Sequence, residues 1–163
     1  MLGAIQRLIV DAIYMTPLAI KKYRNAHPDE KVIVASGCKG RMLSNDEDVK
    51  RGIGWIFARR DNLILTDKRL VCGHWDITFE EIRKATLLRV NSFFAKAYIL
   101  KISTNDGKYF QFGLQFNPKW ETQSQLSINI EDSKIKMSLF SFCLRILTLI
   151  LIIYYFIQQL NKK

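Results

Sequence analysis

The chain has 163 residues, with 25 basic against 15 acidic side chains and a formal net charge of +10. That length supplies one ordinary domain plus something extra, and the charge favours anionic partners such as acidic lipid headgroups, nucleic acid or acidic proteins. Its three cysteines and two histidines are too widely spaced for a disulfide framework or a zinc site, and they fit a reducing compartment.

The charge excess sits mostly in the middle. Residues 31–117 carry +6, against +1 on residues 1–30 and +3 on residues 118–163. Residues 2–24 read as an amphipathic helix, because Leu2, Ile5, Ile9, Ala12, Ile13 and Thr16 fall at helical spacing. Pro17 predicts a break near Thr16. Such a helix packs on a domain or lies at a lipid interface. Arg7 and Asp11 interrupt the apolar run that a signal peptide needs.

A polar break at residues 27–30 precedes a first predicted strand over 31–36, KVIVAS. Residues 37–51 read as a long connection. It holds Gly37, Gly40 and the acidic trio Asp46, Glu47 and Asp48, with Lys39, Arg41, Lys50 and Arg51 among them. Ile53, Trp55 and Phe57 then alternate with Gly54, Ile56 and Ala58, the period of a half-buried strand. Short apolar runs at 63–65 and 69–72 follow. Turn-prone clusters at 60–62 and 66–68 make the three runs an antiparallel meander. Residues 76–82 read as a polar crossover, followed by strands over 85–90, 97–104 and 108–116. Asp106-Gly107 predicts a type I′ hairpin turn between the last two. Asn117-Pro118 opens a helix running to about residue 130, with Trp120 and Leu126 as its expected buried residues and Ile130 at its end.

Residues 137–157 are apolar on every side apart from Ser138, Ser141, Arg145 and Thr148. At about 1.5 Å per residue they reach about 30 Å, the hydrocarbon thickness of a bilayer. They read as a C-terminal transmembrane anchor, with Tyr154 and Tyr155 near one interface and Lys162 and Lys163 beyond it. The basic residues before the span place the folded part in the cytoplasm. Arg145 lies well inside the span, where a charge is costly. It pairs in helix–helix association, in a homo-oligomer or with another protein, or else it snorkels.

Three stretches resemble the PH-like superfold, in its bacterial PH-like and GRAM-type forms. They are GWIFARRDNLILTDKRLVCG at 54–73, ITFEEI at 77–82 and GKYFQFGLQFNPKW at 107–120. The likeness covers residues 30–131 and leaves out the N-terminal helix (1–24) and the span (137–157). It implies a mainly β protein with helices, an α+β fold. Seven strands would form a partly open barrel of two orthogonal antiparallel sheets, capped by a helix. In such domains anionic ligands are met by loops at one mouth of the barrel. Carried over, those loops offer Lys39, Arg41, Lys50, Arg51, Lys68, Arg69 and Lys108. Arg59 and Arg60 fall on the opposite end as a solvated hairpin tip. The acidic trio and the aromatics Trp55 and Phe57 depart from the inositol-phosphate pattern, which favours diffuse attraction to an acidic bilayer.

No Gly-rich phosphate loop, HExxH or GxSxG motif is present, so no enzyme, cofactor or metal is expected. A membrane anchor without a basic run speaks against nucleic acid. The expected function is a non-enzymatic membrane-anchored module that contacts an acidic membrane surface or lipid. A membrane scaffold that uses the domain and span for protein–protein interaction is the alternative.

Overall fold

The computed structural model describes residues 10–49, 53–91 and 96–133. The predicted span at 137–157, Arg145, the pair Lys50 and Arg51, and the first nine residues lie outside the described residues. Among the described residues, no helix is long and apolar enough to cross a membrane.

Helical residues 10–13 lead into α1 (Thr16–Ala26), and the chain breaks between them where Met15 takes a positive φ of 49°. Pro17 at the start of the second piece accounts for the break that the sequence predicts. Eight strands follow: β1 (Val32–Leu43), β2 (Arg59–Thr66), β3 (Arg69–Cys72), β4 (Trp75–Thr78), β5 (Ile82–Asn91), β6 (Lys96–Thr104), β7 (Tyr109–Gln115) and β8 (Asn129–Ser133). They form one continuous curled sheet in the order β4-β3-β2-β1-β7-β6-β5-β8, a half-barrel rather than two separate sheets. The fold is mostly β with a few helices.

The core fills the concave side. Leu63, Leu65, Leu70, Leu87, Leu100 and Phe112 are fully buried there, and Trp120 plugs the cluster. Alternation along the strands sends every second side chain inward. Trp120 sits on a single helical turn, α2 (Lys119–Thr122), and its indole N–H donates to Ser36 Oγ at 3.0 Å. The Asn117 side chain accepts from the Lys119 N–H, which fits the Asn-Pro start.

Several expectations are corrected. The first strand does not end at residue 36. It runs on through Gly37 and Gly40 to Leu43, because both glycines are places where another side chain approaches the backbone. A Cβ at Gly37 would lie 2.5 Å from the Tyr14 ring, and one at Gly40 2.6 Å from the Trp75 ring. The alternating run at 53–58 is not a strand. Ile53–Trp55 is one 3-10 turn, and residues 60–62 lie inside β2 rather than in a turn. The predicted crossover is β4 plus a 3-10 turn at Phe79–Glu81, held by a capping box in which the Thr78 N–H donates to Glu81. At the β6–β7 turn only Gly107 has positive φ, at 81°, so the turn is not type I′. The Gly107 N–H donates to the Thr104 carbonyl at 3.2 Å. The helix expected to reach residue 130 stops at Thr122. Ile130 is exposed on β8, which pairs in parallel with β5.

Candidate functional site on the outer face of the sheet

Among the described residues the predicted mouth is brought together only in part: Lys108 precedes Tyr109, the register partner of Leu43, and so shares the end of the sheet that carries the β1–β2 connection, but Lys68 and Arg69 do not. With residues 53–58 out of the sheet, the turn carrying Lys68 and Arg69 joins β2 to β3. It therefore lies at the far end of β2 from the β1–β2 connection. Its cations are also spent. Lys68 Nζ lies 2.7 Å from Asp29 Oδ2. Arg69 bridges Glu30 at 3.0 Å and Asp76 at 2.8 Å, and Glu30 is nearly buried and also accepts from the Tyr23 hydroxyl. Arg69 thus ties the end of the α1 segment to the β3–β4 edge. Lys108 pairs with Asp106 at 2.7 Å within its own turn, which holds the Asp106 carboxyl down at about 2. The inner opening by Gly40 is filled by Trp75, packed edge-on to Phe110 and Phe112.

Strand alternation also splits the arginine pair. Arg59 pairs in register with Gly40, on the concave side, where it meets Asp61 and His74. Arg60 pairs with Lys39 and projects from the convex side. Side chains directly opposite on an antiparallel pair share a face, with Cβ atoms about 5 Å apart, and like charges there are unfavourable. Neither Lys39 nor Arg60 has a hydrogen bond or ion pair among the described residues. The register shows what surrounds them. On β1 the outward positions are Gly37, Lys39 and Arg41, and on β7 they are Gln111, Gly113 and Gln115.

Two segments fold onto this outer face, one on each side of the cation pair. Tyr14 covers Gly37. It is fixed there by its carbonyl, which accepts from the Asn62 side chain, and by the Thr16 hydroxyl, which donates to Asn62 Oδ1 at 2.7 Å. On the other side, Trp55 lies on Gly113, where an added Cβ would be 3.0 Å from its ring. The Arg41 guanidinium stacks 4.8 Å from the Trp55 ring centroid and donates to Gln111 Oε1 at 2.7 Å. The connection is pinned further along by Lys101 to Asp46 at 2.7 Å and by the Gln111 amide to the Glu47 carbonyl at 2.9 Å. Asp46 of the acidic trio is therefore neutralised by a β6 lysine.

Each covering segment also presents apolar side chains to solvent. Ile56 and Phe57, immediately after Trp55, are 70% and 81% exposed, and Ile13, Met15 and Leu18 flank Tyr14 and are more than half exposed. Isolated exposed apolar residues are ordinary. Here two groups of them border an uncompensated cation pair. The residue types of Lys39, Arg41, Trp55 and Phe57 were visible in the sequence. The role of Arg60 was not, because its face depends on where β2 begins.

A second cluster lies between the β5–β6 hairpin and α2. Arg89, Lys96, Tyr98, Phe116, Glu121 and Asp132 line a cleft of about 280 Å³. Arg89 makes a two-pronged pair with Glu121 at 3.0 and 2.8 Å, and the Tyr98 hydroxyl donates to the same carboxylate. The Arg89 bond, then that of Tyr98, lowers the Glu121 pKa below its usual value. Burial and the Glu121 bond raise that of Tyr98. The cleft satisfies its own charges, so it reads as a structural clamp. Cys38 and Cys72 meet in the core with sulfurs 3.4 Å apart. The hydrogen bond between them and burial hold the Cys38 thiol well above its usual pKa, in its unreactive form. Among the described residues no group of His, Cys, Asp or Glu side chains is set to hold a metal ion.

The described residues define a mostly β protein with an outer face that is basic and apolar together. No protein family matches the sequence, and no curated protein matches it.

Proposed function

We propose that this chain is a non-enzymatic binding module of PH-like architecture, anchored by residues 137–157 with its folded part in the cytoplasm, and that it contacts an acidic bilayer surface. The continuous antiparallel run from β1 to β7 and the buried tryptophan after β7 support the PH-like assignment. The observation that carries the function is the outer face. Ile56 and Phe57 stand exposed on the same connection that shields one side of the unpartnered Lys39 and Arg60. Cations attract an anionic leaflet, and apolar side chains beside them enter the boundary between headgroups and acyl chains. The contact is made by the outside of the β1–β2 region and not by the barrel opening.

The test uses the full chain reconstituted in lipid nanodiscs. Hydrogen exchange is compared between neutral discs and discs holding about 30% phosphatidylglycerol, which give the surface a negative potential. Peptides covering residues 53–60 and 12–20 are expected to exchange more slowly in the anionic discs. That protection should fade as salt rises from about 50 to about 500 mM, because the Debye length shrinks. Replacing Ile56 and Phe57 by serine should abolish it. Equal exchange in both discs, or protection confined to the β2–β3 turn, would sink the proposal.

A further inference from the structure

The notch between Tyr14 and Trp55 holds more than two cations. Gln115 is the residue after Leu114, the register partner of Cys38, so it lies on the outer face alongside Gly37. Both polar atoms of its side-chain amide are buried, and neither has a hydrogen bond among the described residues. A buried amide left unpaired is costly, and in a native structure it calls for a partner. The Arg60 guanidinium is close enough to act on the Tyr14 phenol, whose pKa burial raises and Arg60 partly lowers. Tyr14 lies over Gly37, and Trp55 lies over Gly113, the register partner of Lys39, so the two walls are offset by two residues of strand, about 7 Å.

Resting on the membrane-contact function proposed above, we propose that Lys39, Arg60, the Gln115 amide and the Tyr14 hydroxyl form a discrete site for the phosphate of a lipid headgroup. Two like charges set opposite each other are held together at a cost that an anion between them removes. Charge-assisted bonds from the two cations hold the phosphoryl oxygens, and the amide N–H and the phenol supply neutral donors. The exposed Ile56 and Phe57 on one wall, with Ile13 and Met15 on the other, place the acyl chains of the same lipid next to apolar surface. The site would let the module select single phospholipids from the leaflet, beyond diffuse attraction to it.

The full chain in neutral detergent micelles is titrated with dioctanoyl phosphatidic acid and, separately, with inorganic phosphate, while the backbone amide resonances of Lys39, Gly113 and Gln115 are followed. Saturable shifts with the short-chain lipid are expected. Lys39→Gln and Arg60→Gln should each weaken binding at least about tenfold, the loss of one hydrogen bond to a charged group. Gln115→Met should weaken it without any change of charge. Lys68→Gln, an equal loss of charge elsewhere, should leave it unchanged. Tighter binding of the lipid than of phosphate supports the headgroup as the source, whereas equal or tighter binding of phosphate overturns that source in favour of a free anion. Unsaturable shifts with both probes, or an equal loss in Lys68→Gln, overturn the site. If the nanodisc protection at residues 53–60 survives that outcome, only the discrete site fails. If the protection is missing too, the membrane-contact function fails with it.

Discussion

Replacing Arg69 with methionine is expected to cost about 3 kcal/mol of folding stability while leaving membrane contact intact. The Glu30 side chain is 2% exposed, and its carboxylate has two partners, Arg69 at 3.0 Å and the Tyr23 hydroxyl at 2.7 Å. Without Arg69 that buried charge keeps a single hydrogen bond. Removing one partner of a buried ion pair costs about 3–5 kcal/mol. The Arg69 side chain is itself 29% exposed, so water can reach the gap and the lower end of the range applies. The second pair, to Asp76, involves a carboxylate that is 51% exposed and contributes little. Adding Glu30→Gln removes the stranded charge and keeps a group that bonds Tyr23. The double variant should therefore recover about 2 kcal/mol, a coupling typical of residues in direct contact. Urea unfolding of the full chain in neutral detergent at neutral pH, followed by the fluorescence of the buried Trp120, measures all three proteins. A cost below about 1 kcal/mol for Arg69→Met, typical of a surface change, would refute the structural role and return Arg69 to the candidate ligand-binding residues. So would a double variant as unstable as the sum of the single ones.

Two further outcomes follow from the geometry. Glu121 has its carboxyl held below the usual value by Arg89 and Tyr98, so its contribution to stability is complete above the ordinary glutamate range near about 4.3 and is lost as pH falls through the lower folded value. The stability gap between the native chain and Glu121→Gln, measured by urea unfolding, should be widest above pH of about 5 and close on acidification; a gap independent of pH would contradict the clamp. Gly37→Val should push Tyr14 off the sheet, since even a Cβ would meet its ring at 2.5 Å. Hydrogen exchange in residues 14–26 should rise with little change in β6 and β7, and uniform destabilisation would count against a separately docked N-terminal segment.

The later strands are legible in the sequence because β5, β6 and β7 are long runs of strand-forming residues and Asn105-Asp106-Gly107 marks the turn between the last two. The region before them is poorly marked for one physical reason. Ile53, Trp55 and Phe57 have strand periodicity, but Trp55 is half-buried against Gly113, a residue far along the chain, and Phe57 is exposed. Nothing local distinguishes that packing from a half-buried strand. Reading an extra strand there places the Lys68–Arg69 turn at the ligand end and Arg60 away from it, whereas the β6–β7 turn with Lys108 does share the end of the β1–β2 connection, because Leu43 pairs with Tyr109. Gly37 and Gly40 look like loop residues because the side chains that need their missing Cβ atoms, Tyr14 and Trp75, are remote in sequence. The alternation at residues 126–130, awkward for a helix, was the local sign of β8.

Among the cations, residue type was legible and availability was not. Lys68, Arg69 and Lys108 are neutralised by Asp29, by Glu30 and Asp76, and by Asp106. Only the last of these pairings is local enough to foresee from the turn itself. Lys39 kept its candidacy because its register partner is another cation. A sequence shows like charges readily, but it does not show that they stand opposite each other on one face.

The most direct test of outer-face docking is the depth of two nitroxide labels in anionic nanodiscs, one at Phe57→Cys and one at Lys68→Cys, in chains with Cys143 replaced by serine. Relaxation by oxygen, which concentrates in lipid, is compared with relaxation by a water-soluble nickel chelate. The label at position 57 should be relaxed mainly by oxygen and the label at 68 mainly by nickel. Both labels in water, or the label at 68 lying deeper than the one at 57, would contradict docking through the outer face of β1 and β2.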